Sequence, residues 1–219
     1  MTDWSARVRC RGIVFAALVA GVVAACASFY QGWVDPSLFP QRGSTAATGS
    51  HPPLVVLSDE SLTQFVHVFK QWDEPDQPIP VGKIVDAAAM AAIINLLGPP
   101  VDRHTDAKKD IAVTNSVPGA LLLELRPVGL EVPVPGMRGL QARLVLDCRV
   151  LDNARSPLWS KRYDSGGVGI TTEQLNDASA TRLTQNVRAT HAAAYAVMLQ
   201  VAEDLRRWLE AERLRERVL

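Results

Sequence analysis

Three cysteines and four histidines are the side chains best equipped for covalent or metal chemistry in this 219-residue chain, and their spacing argues against both uses. His51 and His104 fall in stretches that read as loops. His67 and His191 each stand singly on a predicted helix, His67 between Val66 and Val68 and His191 on an apolar side. No two have the spacing of metal ligands, so they read as loop, core or boundary histidines. Nucleophilic catalysis needs an activated Ser or Cys with a base and an orienting acid. The sequence has no G-x-S-x-G, and Cys148 falls at an inward position of a regular strand, where a thiol is inert. Asp147, Arg149 and Arg143 alternate with the apolar residues of that strand, the pattern of a solvated face with cross-strand ion pairs. The stretch Asp164–Thr172 joins a strand to a helix and could offer backbone N–H groups to an anion. It lacks the Gly-Lys-Ser/Thr ending and a complete G-x-G pattern, so it reads as a strand exit with Thr171 or Thr172 as helix cap. No catalytic residue, metal site or cofactor is expected from these residues.

Cys26 is different, because of what precedes it. Arg7, Arg9 and Arg11 are followed by the apolar run Gly12-Ile-Val-Phe-Ala-Ala-Leu-Val-Ala-Gly-Val-Val-Ala-Ala25. That run is short of the ~20 apolar residues that span a bilayer core, has signal-peptide length, and ends in small residues as a cleavage site requires. Val23-Ala24-Ala25-Cys26 closely resembles the lipobox of bacterial lipoproteins. The resemblance implies a diacylglyceryl thioether on Cys26, cleavage of the Ala25–Cys26 bond and acylation of the new amino group. Each buried methylene contributes ~0.8 kcal/mol, so one chain holds weakly and two or more hold stably. Ala27, rather than Asp, follows the cysteine, which by resemblance to enterobacterial sorting implies the outer membrane, facing the periplasm. The competing readings are an ordinary secretory signal cut elsewhere, or an uncleaved N-terminal anchor. With Cys10 in the discarded segment and Cys26 carrying lipid, Cys148 is left without a disulfide partner in the mature chain.

Charge narrows the partners. Lys plus Arg and Asp plus Glu both number 23, and setting aside residues 1–25 shifts the balance to about −2. No global field would draw the protein to nucleic acid, which is not expected as a partner.

The elements that must position these residues follow from periodicity. Residues 26–52 are rich in Ser, Gly, Pro, Thr and Ala and read as a lipid-anchored flexible tether, interrupted by Trp33, Leu38 and Phe39. The domain is expected to occupy 53–219. Leu54–Leu57 reads as a buried strand. Ser58 or Asp59 then caps a helix carrying Leu62, Phe65, Val66, Phe69 and Trp72, which the prolines of Asp73–Pro80 end. A second helix over about 83–97 is apolar nearly all round and stops at Gly98-Pro99-Pro100. Asp102–Asp110 reads as a charged loop. Gly119–Val132 reads as a strand bulged at Pro127 and Gly129, and Leu140–Val150 as the cleanest strand, apolar at every second residue. Asp152–Arg155 makes a hairpin turn into Pro157–Tyr163. From about Thr172 to Arg217 a long helix carries Leu183, Val187, His191, Ala194, Met198, Val201, Leu205 and Trp208 in one stripe. The fold class is α+β: helices on one face of a small, mainly antiparallel sheet.

The segment Leu144–Tyr163, followed by an alanine-rich helix, resembles accessory lipoproteins of bacterial envelope transport and assembly systems over about residues 119–210. There a strand ending in Leu-Asp turns into a Leu-Trp-Ser strand, and a C-terminal helix packs across the sheet. Trp159, Lys161 and Tyr163 should share one strand face. For Trp159 packing is the favoured role, while Lys161 and Tyr163 are candidates for an interaction surface. Two functions follow. One is a non-catalytic, membrane-tethered scaffold or accessory subunit with an envelope protein partner. The other is a small envelope hydrolase or ligand-binding lipoprotein whose site is assembled from scattered residues.

Overall fold

A computed structural model describes residue 39 and residues 52–58, 60–71, 74–98, 101–104, 119–132, 141–169 and 182–218. Its sheet grows outward from the segment with the strictest alternation. Ala142, Leu144, Leu146, Cys148 and Val150 are each at most 1% exposed, while Gln141, Arg143 and Arg149 between them face outward. The elements in chain order are β1 (Leu54–Leu57), α1 (Glu60–Thr63), β2 (His67–Gln71), β3 (Glu74–Ile79), α2 (Val81–Leu97) and β4 (Val101–His104). There follow β5 (Leu121–Glu131), β6 (Gln141–Leu151), β7 (Pro157–Asp164), β8 (Val168–Gly169) and α3 (Arg182–Val218).

The six-stranded sheet runs β4-β1-β5-β6-β7, with β8 also paired to β6. The pairs β5–β6, β6–β7 and β6–β8 are antiparallel, and β1 lies parallel to both β4 and β5. The β5–β6 register slips between Pro127 and Gly129, the position at which the sequence predicts a bulge. The expected α+β architecture and its mainly antiparallel sheet are present.

The helices cover one face. Of the stripe read from the sequence, Val187, His191, Ala194, Met198, Val201 and Leu205 are buried along α3, Trp208 is half-buried, and the Leu183 side chain lies outside the described residues. The helix packs on β6 and on α2, whose Ile84, Val85, Ala88, Ala89, Ala92 and Ile93 are fully buried. Alanines at that contact let the two helix axes approach closely. Gly98 ends α2 with a positive φ of 76° and donates its N–H to the Ile94 carbonyl at 3.0 Å. Gly82 lies against α1: its N–H donates to the Phe65 carbonyl at 2.9 Å, and a Cβ there would overlap the Leu62 carbonyl oxygen.

Two local expectations fail, each for a physical reason. The helix expected through residue 72 stops at Thr63, and His67–Gln71 is a strand paired antiparallel with Glu74–Ile79. Valine and phenylalanine favour extended backbone, and Phe69 is 9% exposed between the exposed Val68 and Lys70, a period of two rather than a helical stripe. Pro75 and Pro78 do not exclude β3, because a two-stranded ribbon is all edge and tolerates a missing N–H. Of the two cap candidates, Ser58 donates its Oγ hydrogen to the Asp86 carboxylate in the interior, and Asp59 lies outside the described residues. Finally, the charged stretch after Pro100 begins not as loop but as β4, which takes in His104 beside β1.

Thr171 and Thr172, His51, Trp33, Leu38, and the rest of the charged stretch after His104 lie outside the described residues, as do Cys26 and the apolar run before it. Phe39, in the middle of the stretch read as tether, is 2% exposed, with its ring 5.5 Å from that of His191 and 5.6 Å from that of Tyr195.

Candidate functional site

β7 borders the sheet and pairs, among the described strands, with β6 alone. Its register sets Trp159 opposite Val150, Lys161 opposite Cys148 and Tyr163 opposite Leu146. Those three partners are inward residues of β6, so Trp159, Lys161 and Tyr163 share the face turned to α3, as the alternation predicts. The turn that delivers β7 is locked by polar contacts. The Asp152 carboxylate accepts from the Ser156 N–H at 2.7 Å, and Arg155 takes a positive φ of 61°. The Asn153 amide bridges Gly119 and Ala120, ahead of β5: it donates to the Ala120 carbonyl and accepts from the Gly119 N–H.

Lys161 and Tyr163 converge on one acceptor. The Asp204 carboxylate of α3 accepts from Lys161 Nζ at 2.5 Å and from Tyr163 Oη at 3.0 Å. The Lys161 ammonium lies 5.0 Å from the Tyr163 ring centre, and the Trp159 ring 6.2 Å from that ring. Asp204 was invisible to sequence reading as a partner, because it lies 41 and 43 residues away along the chain. The one available signal was an acid on the boundary of the α3 stripe, one residue before Leu205.

The electrostatics of this cluster hold its members together as a clamp. Burial, then the hydrogen bond to Asp204, pushes the Tyr163 phenol far above its ordinary range. A general base or activated nucleophile needs the opposite shift. The hydrogen bond from Lys161 holds the Asp204 carboxyl below its ordinary value, with Tyr163 assisting. Tyr163 is 3% exposed, its ring spent on packing, whereas half of the Lys161 side chain remains open to solvent. An inward-facing lysine on a border strand also discourages a further strand from adding there.

Among the described residues, the opposite face carries cross-strand ion pairs. Arg162 grips the Asp147 carboxylate at 2.6 and 2.8 Å, and Arg143 grips Asp164 at 2.5 and 2.9 Å. Arg149 stands 3.7 Å from Glu124, and Arg143 also 3.6 Å from Glu131. The Arg143 hydrogen bond, then the Gly166 N–H, pulls the Asp164 carboxyl down to about 2. Exposed pairs of this kind contribute little stability. They leave a face whose charges satisfy one another.

Cys148 and His191 lie in the interior. Cys148 is 1% exposed, and burial raises its thiol well above the ordinary range, so it stays protonated. His191 is buried, its Nδ1 2.8 Å from the Val187 carbonyl. His67 lies on β2, and burial lowers its basicity. Among the described residues no cluster of three or more His, Cys, Asp or Glu could hold a metal ion, and no helix is long and apolar enough to cross a membrane.

No family model matches the sequence, and no curated protein matches it significantly. Solved structures offer weak likenesses. A Xanthomonas campestris protein of the DUF330 family covers 78% of this chain and 94% of its own, at 13% identity and a TM-score of 0.46. A PelC dodecamer from Paraburkholderia phytofirmans covers 72% of this chain and 95% of its own, at 12% identity and a TM-score of 0.34.

Proposed function

We propose that this protein is a lipid-anchored module of the bacterial envelope, tethered through Cys26 to the outer membrane. There it acts as a non-catalytic scaffold or accessory subunit of a transport or assembly system. The observation that carries the reading is the ordered sequence of Arg7, Arg9 and Arg11, the apolar run, and Val23-Ala24-Ala25-Cys26. The domain supports it with a buried, protonated Cys148 and a tyrosine–lysine pair tied to Asp204 in a structural role.

The mechanism is confinement. A domain held by lipid samples a thin layer beside the membrane, and its effective concentration toward an envelope partner rises accordingly, so modest contacts suffice. The half-open Lys161 beside Trp159, on the border strand, is the candidate contact point. Cross-linking in intact cells, followed by detergent extraction and mass spectrometry, tests the reading. One envelope protein should be captured with the native chain and lost with Cys26→Ser at equal abundance. Equal capture by both forms, or hydrolysis of ester or peptide substrates by the purified protein, would contradict it.

A further inference from the structure

Phe39 lies in a stretch with the composition of a tether, yet it is buried, at 2% exposure. Its ring meets two aromatic side chains one helical turn apart on α3: His191 at 5.5 Å and Tyr195 at 5.6 Å, each inclined by 34°. Tilted rings at this separation are a favoured aromatic geometry. His191 is itself buried, with its Nδ1 2.8 Å from the Val187 carbonyl. Aromatic residues are costly to expose and rare in flexible linkers.

We propose that Phe39 is a docking anchor, which seats the N-terminal arm in the His191–Tyr195 site of α3 and thereby sets how far the domain can stand from the membrane. The consequence for reach rests on the lipidation of Cys26 proposed above; the docking itself does not. With Phe39 seated, roughly 13 residues bridge Cys26 to the folded body, a span of at most about 45 Å. Without that contact, the described chain is tied to the body at Pro53, whose carbonyl accepts from the Leu121 N–H at 2.8 Å, and the limit would roughly double. The anchored arm thus confines the protein to a thinner layer, in which its effective concentration toward a membrane partner is higher. The Asp204–Lys161 clamp lies about 15–20 Å along α3 from His191, at the 1.5 Å rise per residue.

Two measurements on the full chain, extracted in detergent, test the proposal. Arg42 follows Phe39 by three residues, so trypsin cleavage there reports release of the arm. Phe39→Ala should speed that cleavage at least tenfold and Phe39→Leu by a smaller factor, with the cooperative thermal transition retained in both. Equal cleavage rates in the native protein and Phe39→Ala would overturn the docking. In nanodiscs, a dye on Gln200→Cys should transfer energy to a headgroup acceptor less efficiently once Phe39→Ala is added. Faster cleavage with unchanged transfer would overturn the role in reach while leaving the docking. An unmodified Cys26 by intact mass would remove the lipid reading, and with it the reach, independently of the cleavage result.

Discussion

The two faces of β5–β6–β7 are built from the same strands and differ in almost every physical respect. On the covered face, Leu144, Leu146 and Val150 of β6 and Met198, Val201 and Leu205 of α3, which packs on β6, are all fully buried. On the open face, Arg143, Asp147, Arg149, Arg162 and Asp164 form cross-strand pairs in contact with water. The covered face gains stability by removing apolar area from water, about 25 cal/mol per Å2, and cannot rearrange without leaving voids. The open face gains little stability and tolerates change. A surface that must meet a partner belongs to the second kind, and Lys161 marks where the two meet.

The sharpest way to break this contrast is Leu205→Asp. It places a carboxylate without a counter-charge at a fully buried position. The cost is several kcal/mol against a total stability of roughly 5–15 kcal/mol, so the cooperative thermal transition should disappear or the protein aggregate. A folded Leu205→Asp chain that merely converts from dimer to monomer by light scattering would instead make the α3 stripe an interface between copies.

Gly82→Ala should rank next. The added methyl overlaps the Leu62 carbonyl, a backbone atom that cannot swing aside, so the loss should be at least 2 kcal/mol by chemical denaturation. A neutral result would mean that α1 shifts freely away from α2.

Tyr163→Phe removes one hydrogen bond to Asp204 while keeping the ring on the covered face. It should cost about 1 kcal/mol, and the Asp204 carboxyl should rise toward its ordinary value, read by carboxyl NMR. A loss as large as that of Leu205→Asp would place the clamp in the core rather than at its margin.

On the open face the smallest effects are expected. Asp164 has a folded-state pKa of about 2, below its unfolded value. Its pairing with Arg143 therefore favours the folded state above the ordinary carboxylate range, and this contribution is lost as pH falls from that range through about 2. The Asp164 carboxyl resonance should titrate near that value and return toward 4 in Arg143→Ala, with the thermal midpoint at pH 7 nearly unchanged. A large drop in midpoint at neutral pH would show that the ion pairs carry the fold.

What the sequence made legible follows the same division. The period-two pattern of Leu144, Leu146, Cys148 and Val150 and the three-and-four spacing from Val187 to Leu205 declare a buried face directly, and both elements lie where that pattern places them. The bulge at Pro127–Gly129 was equally legible, because both residues disturb a ladder by their backbone chemistry. The ribbon His67–Ile79 was not: Leu62, Phe65 and Phe69 fit helical spacing by coincidence, and the prolines of β3 argue against a strand unless one knows the strand lies at an edge. Asp204 as the partner of Lys161 and Tyr163, Asp86 as the partner of Ser58, and the site that receives Phe39 are all tertiary meetings, on which local spacing is silent. Lys161 and Tyr163 were placed on the correct face, but their distinct fates, one half-open and one buried, depended on where α3 lies.

Lipid on Cys26 is the premise of the proposed function, and intact mass spectrometry of the membrane-extracted protein tests it most directly. That premise predicts a chain beginning at Cys26, heavier than its amino acids by a diacylglyceryl group and an amide-linked acyl chain. A chain that retains residues 1–25, or one cut elsewhere with an unmodified thiol, would contradict it.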